Sequence, residues 1–503
     1  MRLADSGRQL LAMWRMPAAL ALVLVLAAAA VALVRYVLAG RETRRSMRQA
    51  WTVRWGWRRL SLMLGLTATD RLPRGLRALL ELVGLVKPGK PTVVRARLKV
   101  KADHYGLIVR ASTVPGVGRE AWVNAAPHLA DAWGCVRVAV TQSEPSWLTV
   151  RAVRRDPLLA PASYVPTGLA PAELDCWEIG QDEYAGPVEV RLSNVPGIAI
   201  AGVPGYGKTI VVIGLVARLA PSPAVQFAVV DGKGGADYED LAGRFFAFVG
   251  DDLATASAVF RRMYELRQRR ARMIRASLGT KNFWHVGPSE RWPLVVLVID
   301  EAHTFLSDAN VKGNRQLAEL VAENRRLVED VVKKGRSVGL LVILATQKAT
   351  GDAIPTAIRD VCPVAMSFAQ RTDEAAVAAL GGDIRDYPEA NPVALQDPAY
   401  VGVASMVVQG RPGFTRVRTP YVRDEDARKV CADTARLTRD PLALLDGAGY
   451  AVQPTVITGG ADPARGEDKS AGAFAQGLEV GSQVWTERVT PSPIRADVGG
   501  ESA

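Results

Sequence analysis

"IAIAGVPGYGKTIVVIGLVARLA", residues 198–220, sets a run of small apolar residues, a glycine-rich turn and a lysine directly before a helical pattern. The turn reads G-x-x-x-x-G-K-T and comprises Gly202, Val203, Pro204, Gly205, Tyr206, Gly207, Lys208 and Thr209. In such a turn the backbone N–H groups and the N-terminus of the following helix converge on anionic oxygens. Lys208 then reaches the β- and γ-phosphates, and the Thr209 hydroxyl binds Mg²⁺. The motif can arise by chance in a long chain, but strand-like IAIA before it and a Val/Ile/Leu-rich helix after it supply the context it needs. The stretch predicts a site for ATP and Mg²⁺.

Outward from the turn, the apolar runs IAIA, VQFAVV, LVVLVI and GLLVILA each end in polar residues. Unbroken hydrophobicity suits strands buried on both faces of a parallel sheet, and such sheets hold ligands at the carboxyl ends of their strands. Those ends lead to the glycine-rich turn, to Asp231 in "VVDGKGGADY", to Asp300 and Glu301 in "LVVLVIDEAHTF", and to Thr346 and Gln347 in "LVILATQ". Asp300 is placed to hold Mg²⁺, directly or through water, beside Thr209. Glu301 points the other way from the strand and can polarise the water that attacks the γ-phosphate. Gln347, expected on a neighbouring strand, is a candidate to sense that phosphate or orient the water. The pair Asp300 and Glu301 implies hydrolysis rather than binding alone.

Whole-chain composition sets the surroundings. The chain of 503 residues is 49% hydrophobic and 23% charged, which is ordinary globular composition and excludes a fibrous protein. A net charge of +12 suggests an acidic partner, either nucleic acid or an anionic membrane surface. Cys135, Cys176, Cys362 and Cys431 are far apart with no C-x-x-C pair, so a disulfide or zinc framework is not expected. His104 and His128 are isolated and read as ordinary structural or surface histidines.

Residues 18–34, AALALVLVLAAAAVALV, carry no charge, and the apolar stretch continues to Gly40 if Arg35 snorkels to the interface. That length suffices for one membrane-spanning helix. Arg41, Arg44, Arg45, Arg48, Arg54, Arg58 and Arg59 follow the stretch, against Arg2, Arg8 and Arg15 before it. The positive-inside rule then places everything after it in the cytoplasm. A cleaved signal peptide is the competing reading, but it would export an ATP site to a place without ATP. The segment WTVRWGWRRL, 51–60, mixes tryptophan with arginine and reads either as a segment on the inner membrane surface or as a solvated linker.

The expected organisation is a transmembrane anchor at 1–40, a basic juxtamembrane region at 41–91, a small α/β adaptor module at 92–153 and a Pro/Ala-rich connector at 154–185. The motor follows at 186–437, and a Gly/Ala/Asp/Pro-rich tail at 438–503 is expected to be disordered. The fold class is α/β.

DGKGG at 231–235, VIDEAHTF, KKGRSVGLLVILATQ at 333–347 and AIPTAIRD, in that order, resemble the FtsK/SpoIIIE family of membrane-anchored DNA translocases. The resemblance covers roughly residues 100–435, with "PGVGREAWVNAAPHLADAWGCVRVAV" similar to the family's adaptor and "YVRDEDARKV" similar to its closing helix. It implies a RecA-like P-loop ATPase that forms a homo-hexameric ring around double-stranded DNA and moves it with ATP. Carried over, Lys208 and Thr209 bind phosphate and Mg²⁺, Asp300 and Glu301 serve hydrolysis, and Gln347 reports nucleotide state. Arg336 in the KGR motif and Arg371 in FAQRTD are candidates to reach a neighbour's nucleotide.

The sequence also departs from the pattern. The turn reads GVPGYGKT where chromosome-segregating members usually have a serine-glycine centre and a terminal serine, and Thr209 keeps the hydroxyl. One spanning segment stands where those members have four, and the tail is too short and polar for an obvious winged-helix reader. This layout looks more like the plasmid-transfer relatives of the family, with a type VII-like protein secretion ATPase and a chromosome pump as alternatives. Lys281, Lys348 and Arg359 are basic and near expected loops; solvated loop charge is the favoured reading over pore lining.

Overall fold

In the computed structural model, residues 20, 23–24, 26–27, 29–70, 92–234, 236–308, 311, 313–347, 354–408, 413–447, 455–456 and 483–485 are described. The chain divides into two units, Met1–Pro157 and Leu158–Ala503. Among the described residues no helix is long and apolar enough to cross a membrane. Six of the seventeen residues 18–34 lie outside them, as do all of 1–17 and most of the tail.

The first unit starts earlier than the adaptor module was expected to. Helix α1 (Arg41–Met63) buries a stripe of Ser46, Ala50, Val53, Trp57 and Ser61 at helical spacing. Strands β1 (Thr67–Asp70) and β2 (Thr92–Arg95) form an antiparallel pair. Strand β3 (Leu98–Ala102), β4 (Gly106–Ser112), helix α2 (Arg119–Trp133), β5 (Arg137–Glu144) and β6 (Trp147–Val153) follow, giving an antiparallel sheet of order β3-β4-β6-β5. Trp57 stacks on Trp122 of α2 with ring centroids 5.3 Å apart, and its indole N–H donates to Ala96 O at 2.9 Å.

Within the region expected to be basic and juxtamembrane, residues 41–63 thus form a helix of this unit, and the segment 51–60 buries one face in it. Val53 and Trp57 belong to the hydrophobic core of this unit, because the close approach of α1 is made by small residues that hydropathy does not flag. Trp51 and Trp55 do face outward, 64% and 74% exposed. Trp57→Ala is therefore expected to destabilise the unit by about 3–5 kcal/mol, whereas Trp51→Ala and Trp55→Ala should each stay within about 0.5 kcal/mol. Chemical denaturation of the three variants checks the contrast.

In the second unit the connector expected at 154–185 contains β7 (Ala162–Tyr164) and β8 (Cys176–Asp182), the latter paired antiparallel with β9 (Pro187–Arg191). Glu178, Gly180 and Gln181 interrupt the apolar pattern of β8 and hide it in the sequence. β9 alternates exposed and buried positions, as befits the outermost strand of its sheet.

The centre of the same sheet behaves oppositely. Strand β10 (Gly197–Ala201), helix α3 (Lys208–Leu219), β11 (Val225–Asp231), β12 (Phe245–Val249), α4 (Leu253–Leu278), β13 (Leu294–Asp300), α5 (Arg315–Gly335) and β14 (Leu340–Thr346) succeed one another. Every residue of β10, β11, β13 and β14 is buried, which is what cover on both faces requires. These strands run parallel in the order β11-β13-β14-β10, so their carboxyl ends share one edge. Strand β15 (Val364–Ser367) continues the parallel part beside β10.

Beyond it, β16 (Val403–Met406) and β17 (Thr415–Arg418) join antiparallel and lead to β8 and β9. Among the described residues the sheet has 11 strands, the two-residue strand Thr455–Val456 lying beside β12, and it is mixed rather than purely parallel as expected, since β16, β17, β8 and β9 extend one side antiparallel. Helix α6 (Asp424–Thr434) packs near α3, and the short helix Pro441–Leu445, within the segment expected to be a disordered tail, sets Leu442 and Leu445 against the same core.

Candidate active site

The glycine-rich turn leaves β10 and enters α3 at that shared edge. Gly202 has φ +148°, and a Cβ there would lie 2.7 Å from Phe368 Cβ, so only glycine lets the turn pass. Gly207, with φ +108°, caps α3 in the left-handed region and aims the helix's first N–H groups into the cavity. Val203 N–H donates to Ala369 O, the Val203 carbonyl accepts from Lys208, and the Tyr206 hydroxyl donates to Gln396 O. These residues shape the turn, while Pro204, Gly205, Gly207, Lys208 and Thr209 line the cavity.

Lys208 folds back into the turn, donating to Gly202 O at 2.6 Å and Val203 O at 3.1 Å. Burial and the nearby Lys233 ammonium push its amine down to about 8, against the opposing pull of Glu301 and Asp300. Thr209 Oγ1 donates to Asp300 Oδ2 at 3.3 Å. Asp300 is fully buried, and its Oδ2 also accepts from the Tyr238 hydroxyl at 3.2 Å. The buried Asp231 carboxyl is pushed up to about 6 by burial and by Asp300.

Glu301 occupies the first turn beyond β13 with φ +53°, a left-handed conformation that costs a non-glycine residue free energy. Its Oε1 accepts from Gln347 N–H at 3.1 Å and lies 2.6 Å from His303 Nδ1. Burial pushes its pKa up, but His303, the Gln347 N–H and Lys208 outweigh that, so the carboxyl stays below the usual range. Its buried Oε2 has no hydrogen-bond partner among the described residues. That leaves one ionised oxygen able to accept a proton from water.

Thr209 Oγ1 and Asp300 Oδ2 form a hard-oxygen pair of the kind Mg²⁺ takes together with phosphates and waters, and a cation, the Lys233 ammonium, already lies beside both. The residues fit the metal. Among the described residues no group of three or more His, Cys, Asp or Glu could hold a metal on its own, and a nucleotide-bound Mg²⁺ needs none. From this corner a cavity of about 1160 Å³ runs past Lys208, Thr209 and Gln347 to an apolar wall of Val401, Pro420 and Tyr421. Buried Arg418 ties that wall together through Leu158 O, Val401 O and Ala399 O. The phosphate-binding corner and the apolar wall together suit a nucleotide.

The two arginines separate. Arg371 is exposed just after β15, on the edge that carries the turn. Arg336 is exposed just before β14, at the opposite ends of the strands. A seven-residue strand puts roughly 20 Å between those edges. Lys233, Tyr238 and His303 were not singled out from the sequence. Two of them follow closely on acidic strand ends, Lys233 two residues past Asp231 and His303 two past Glu301, whereas nothing in its own segment marks Tyr238.

A P-loop turn after β10, two consecutive acidic residues at the end of β13 with β14 between the two strands, and a largely parallel sheet define a nucleotide-hydrolysing domain. Residues 194–349 match the family described as AAA domain, and this part of the chain is an ATPase domain. Similarity to curated proteins extends further. The chain is 23% identical over 307 residues to the DNA translocase FtsK of Leptospira interrogans, an alignment covering 56% of this chain and 29% of that protein. It is 24% identical over 294 residues to the DNA translocase FtsK of Haemophilus influenzae, covering 51% and 50%. The chain thus spans half or less of the length of these relatives.

Among solved structures, the conjugation coupling protein TcpA of pCW3, in monomer form with ATPγS, superposes with a TM-score of 0.46 at 15% identity, covering 76% of this chain and 99% of that one. The cytoplasmic domain of the type VII secretion ATPase EccC of Thermomonospora curvata gives a TM-score of 0.41 at 20% identity, covering 60% and 34%. The resemblance to FtsK translocases drawn from the motifs is matched by the similarity to the curated FtsK proteins over about half of the chain.

Proposed function

We propose that the chain is a membrane-anchored, ATP-hydrolysing translocase of double-stranded DNA that works as a homo-hexameric ring in conjugative transfer of a plasmid or integrative element. The observation that carries hydrolysis is the free, ionised Oε2 of Glu301 beside a turn that presents Lys208 and Thr209. Similarity to proteins named DNA translocase supports duplex DNA as cargo. The uncharged run 18–34 followed by clustered arginines supports the anchor, with the motor in the cytoplasm. Exposed Trp51 and Trp55, flanked by Arg48, Arg58 and Arg59, give α1 an outer face suited to an anionic membrane surface.

In this reading Glu301 takes the proton of the attacking water, with Gln347 N–H and His303 fixing its carboxylate. Lys208 balances charge on the transferred phosphoryl group. Thr209 and Asp300 would hold Mg²⁺, which would supply positive charge to offset that on the phosphates. Gln347 reports the nucleotide state, and exposed Arg371 and Arg336 are the groups offered to a neighbouring copy.

The test is the ATPase rate of the purified protein with duplex DNA. Duplexes of unrelated sequence should each raise the rate, and the stimulation should fade steeply between about 50 and 200 mM salt as counterion release loses its advantage. No response to DNA, together with stimulation by the tail of a secreted protein, would replace DNA with protein as the cargo.

A further inference from the structure

The turn after β11 carries a side chain for which the roles above have no use. Lys233 Nζ lies 3.1 Å from Thr209 Oγ1, 3.3 Å from Asp300 Oδ2 and 3.2 Å from Asp237 Oδ2. The first two are the groups that fit Mg²⁺, and the ammonium lies within hydrogen-bonding reach of both. Its placement is not that of a loose surface lysine. Lys233 N–H donates to Asp231 Oδ1 at 3.0 Å, and Gly232 N–H donates to Asp300 O at 3.0 Å, so the turn is pinned to the strand end that bears Asp300. Asp300 is fully buried, and a buried carboxylate is strongly disfavoured without a cation beside it.

Resting on the reading of this cavity as a Mg²⁺-nucleotide site, we propose that Lys233 is a tethered cation that holds the metal position while nucleotide is absent, and that Mg²⁺ enters only by displacing it. The ammonium neutralises Asp300 and takes the Thr209 hydroxyl as a neighbour, which leaves free Mg²⁺ in competition with a charge that is always at hand. Arriving with ATP, the metal brings phosphate oxygens of its own as ligands and wins that competition. Asp237, four residues on and 45% exposed, receives the displaced ammonium at the mouth of the cavity. Lys233 in this way makes metal binding conditional on nucleotide.

The experiment measures Mn²⁺ binding to the full-length, nucleotide-free protein by electron paramagnetic resonance, with Mg²⁺ as competitor. Lys233→Met, which keeps length and removes charge, should bind Mn²⁺ at least tenfold more tightly than the unaltered protein. Lys233→Arg should behave like the unaltered protein, and adding Asp300→Asn to Lys233→Met should abolish the gain. The thermal midpoint of Lys233→Met should fall in chelator and recover with Mg²⁺, while that of the unaltered protein responds to neither. If Lys233→Met folds poorly, Lys233→Gln should show the same direction of change. Unchanged or weaker Mn²⁺ binding in the charge-removed variants overturns the proposal. Binding of fluorescent ATP to the unaltered protein is measured alongside; its absence would count against the nucleotide site itself, independently of the metal result.

Discussion

Glu301→Gln is expected to leave ATP bound and to slow its turnover by about 10²–10⁴-fold, the range over which a positioned general base contributes. The substitution keeps the shape of the side chain and an oxygen to accept from Gln347 N–H, the bond that holds Oε1 at 3.1 Å. What it removes is the charge on the free oxygen, which His303, the Gln347 N–H and Lys208 keep ionised against the effect of burial. The left-handed backbone at Glu301 is unaffected, because glutamine meets the same steric cost there. Equilibrium binding of labelled ATP should match the unaltered protein within a few fold while single-turnover hydrolysis nearly stops. Turnover within threefold of normal would remove Glu301 from the reaction and leave the basic role to another group.

The site's linear motifs were legible because each is continuous along the chain. The turn at 202–209 and the pair Asp300 and Glu301 announce themselves by residue type and by the apolar strand before them. Contacts made across strands were not. Tyr238 and Lys233 meet Asp300 only because β11 and β13 are neighbours in register, with Asp231 opposite Asp300, and nothing in either segment states that pairing. The same limit hid β8, whose polar and glycine positions mimic a connector until β9 and β17 are laid beside it.

Helix α1 failed for a different reason. Its arginines and its exposed Trp51 and Trp55 dominate the composition, while the buried stripe runs through Ser46, Ala50 and Ser61, residues too small to carry a hydropathy signal. Periodicity rather than composition distinguishes Trp57 from the other two tryptophans. For the arginines, the KGR and FAQRTD motifs look equivalent in sequence, yet strand direction sets Arg336 and Arg371 on opposite edges of the sheet.

Lys208→Ala should fail at an earlier stage than Glu301→Gln, losing both ATP affinity and turnover. The ammonium is held inside the turn by Gly202 O and Val203 O, beside the first N–H groups of α3. Loss of a single preorganised donor to developing charge costs about 10²–10³ in rate, and the lost ground-state attraction adds to it. A pH dependence separates this role from a merely structural one. The free amine is held down to about 8 by burial and by Lys233, and a polyphosphate beside it must raise that value. A group whose pKa rises on binding takes up a proton as ligand binds, so its contribution is complete below the free value and is lost as pH climbs above it. ATP affinity of the unaltered protein should therefore fall above pH 8 by up to about tenfold per pH unit, and Lys208→Ala, already weak, should show no such slope. Normal hydrolysis in a folded Lys208→Ala protein, or an identical slope in both proteins, would mean that the lysine does not touch phosphate.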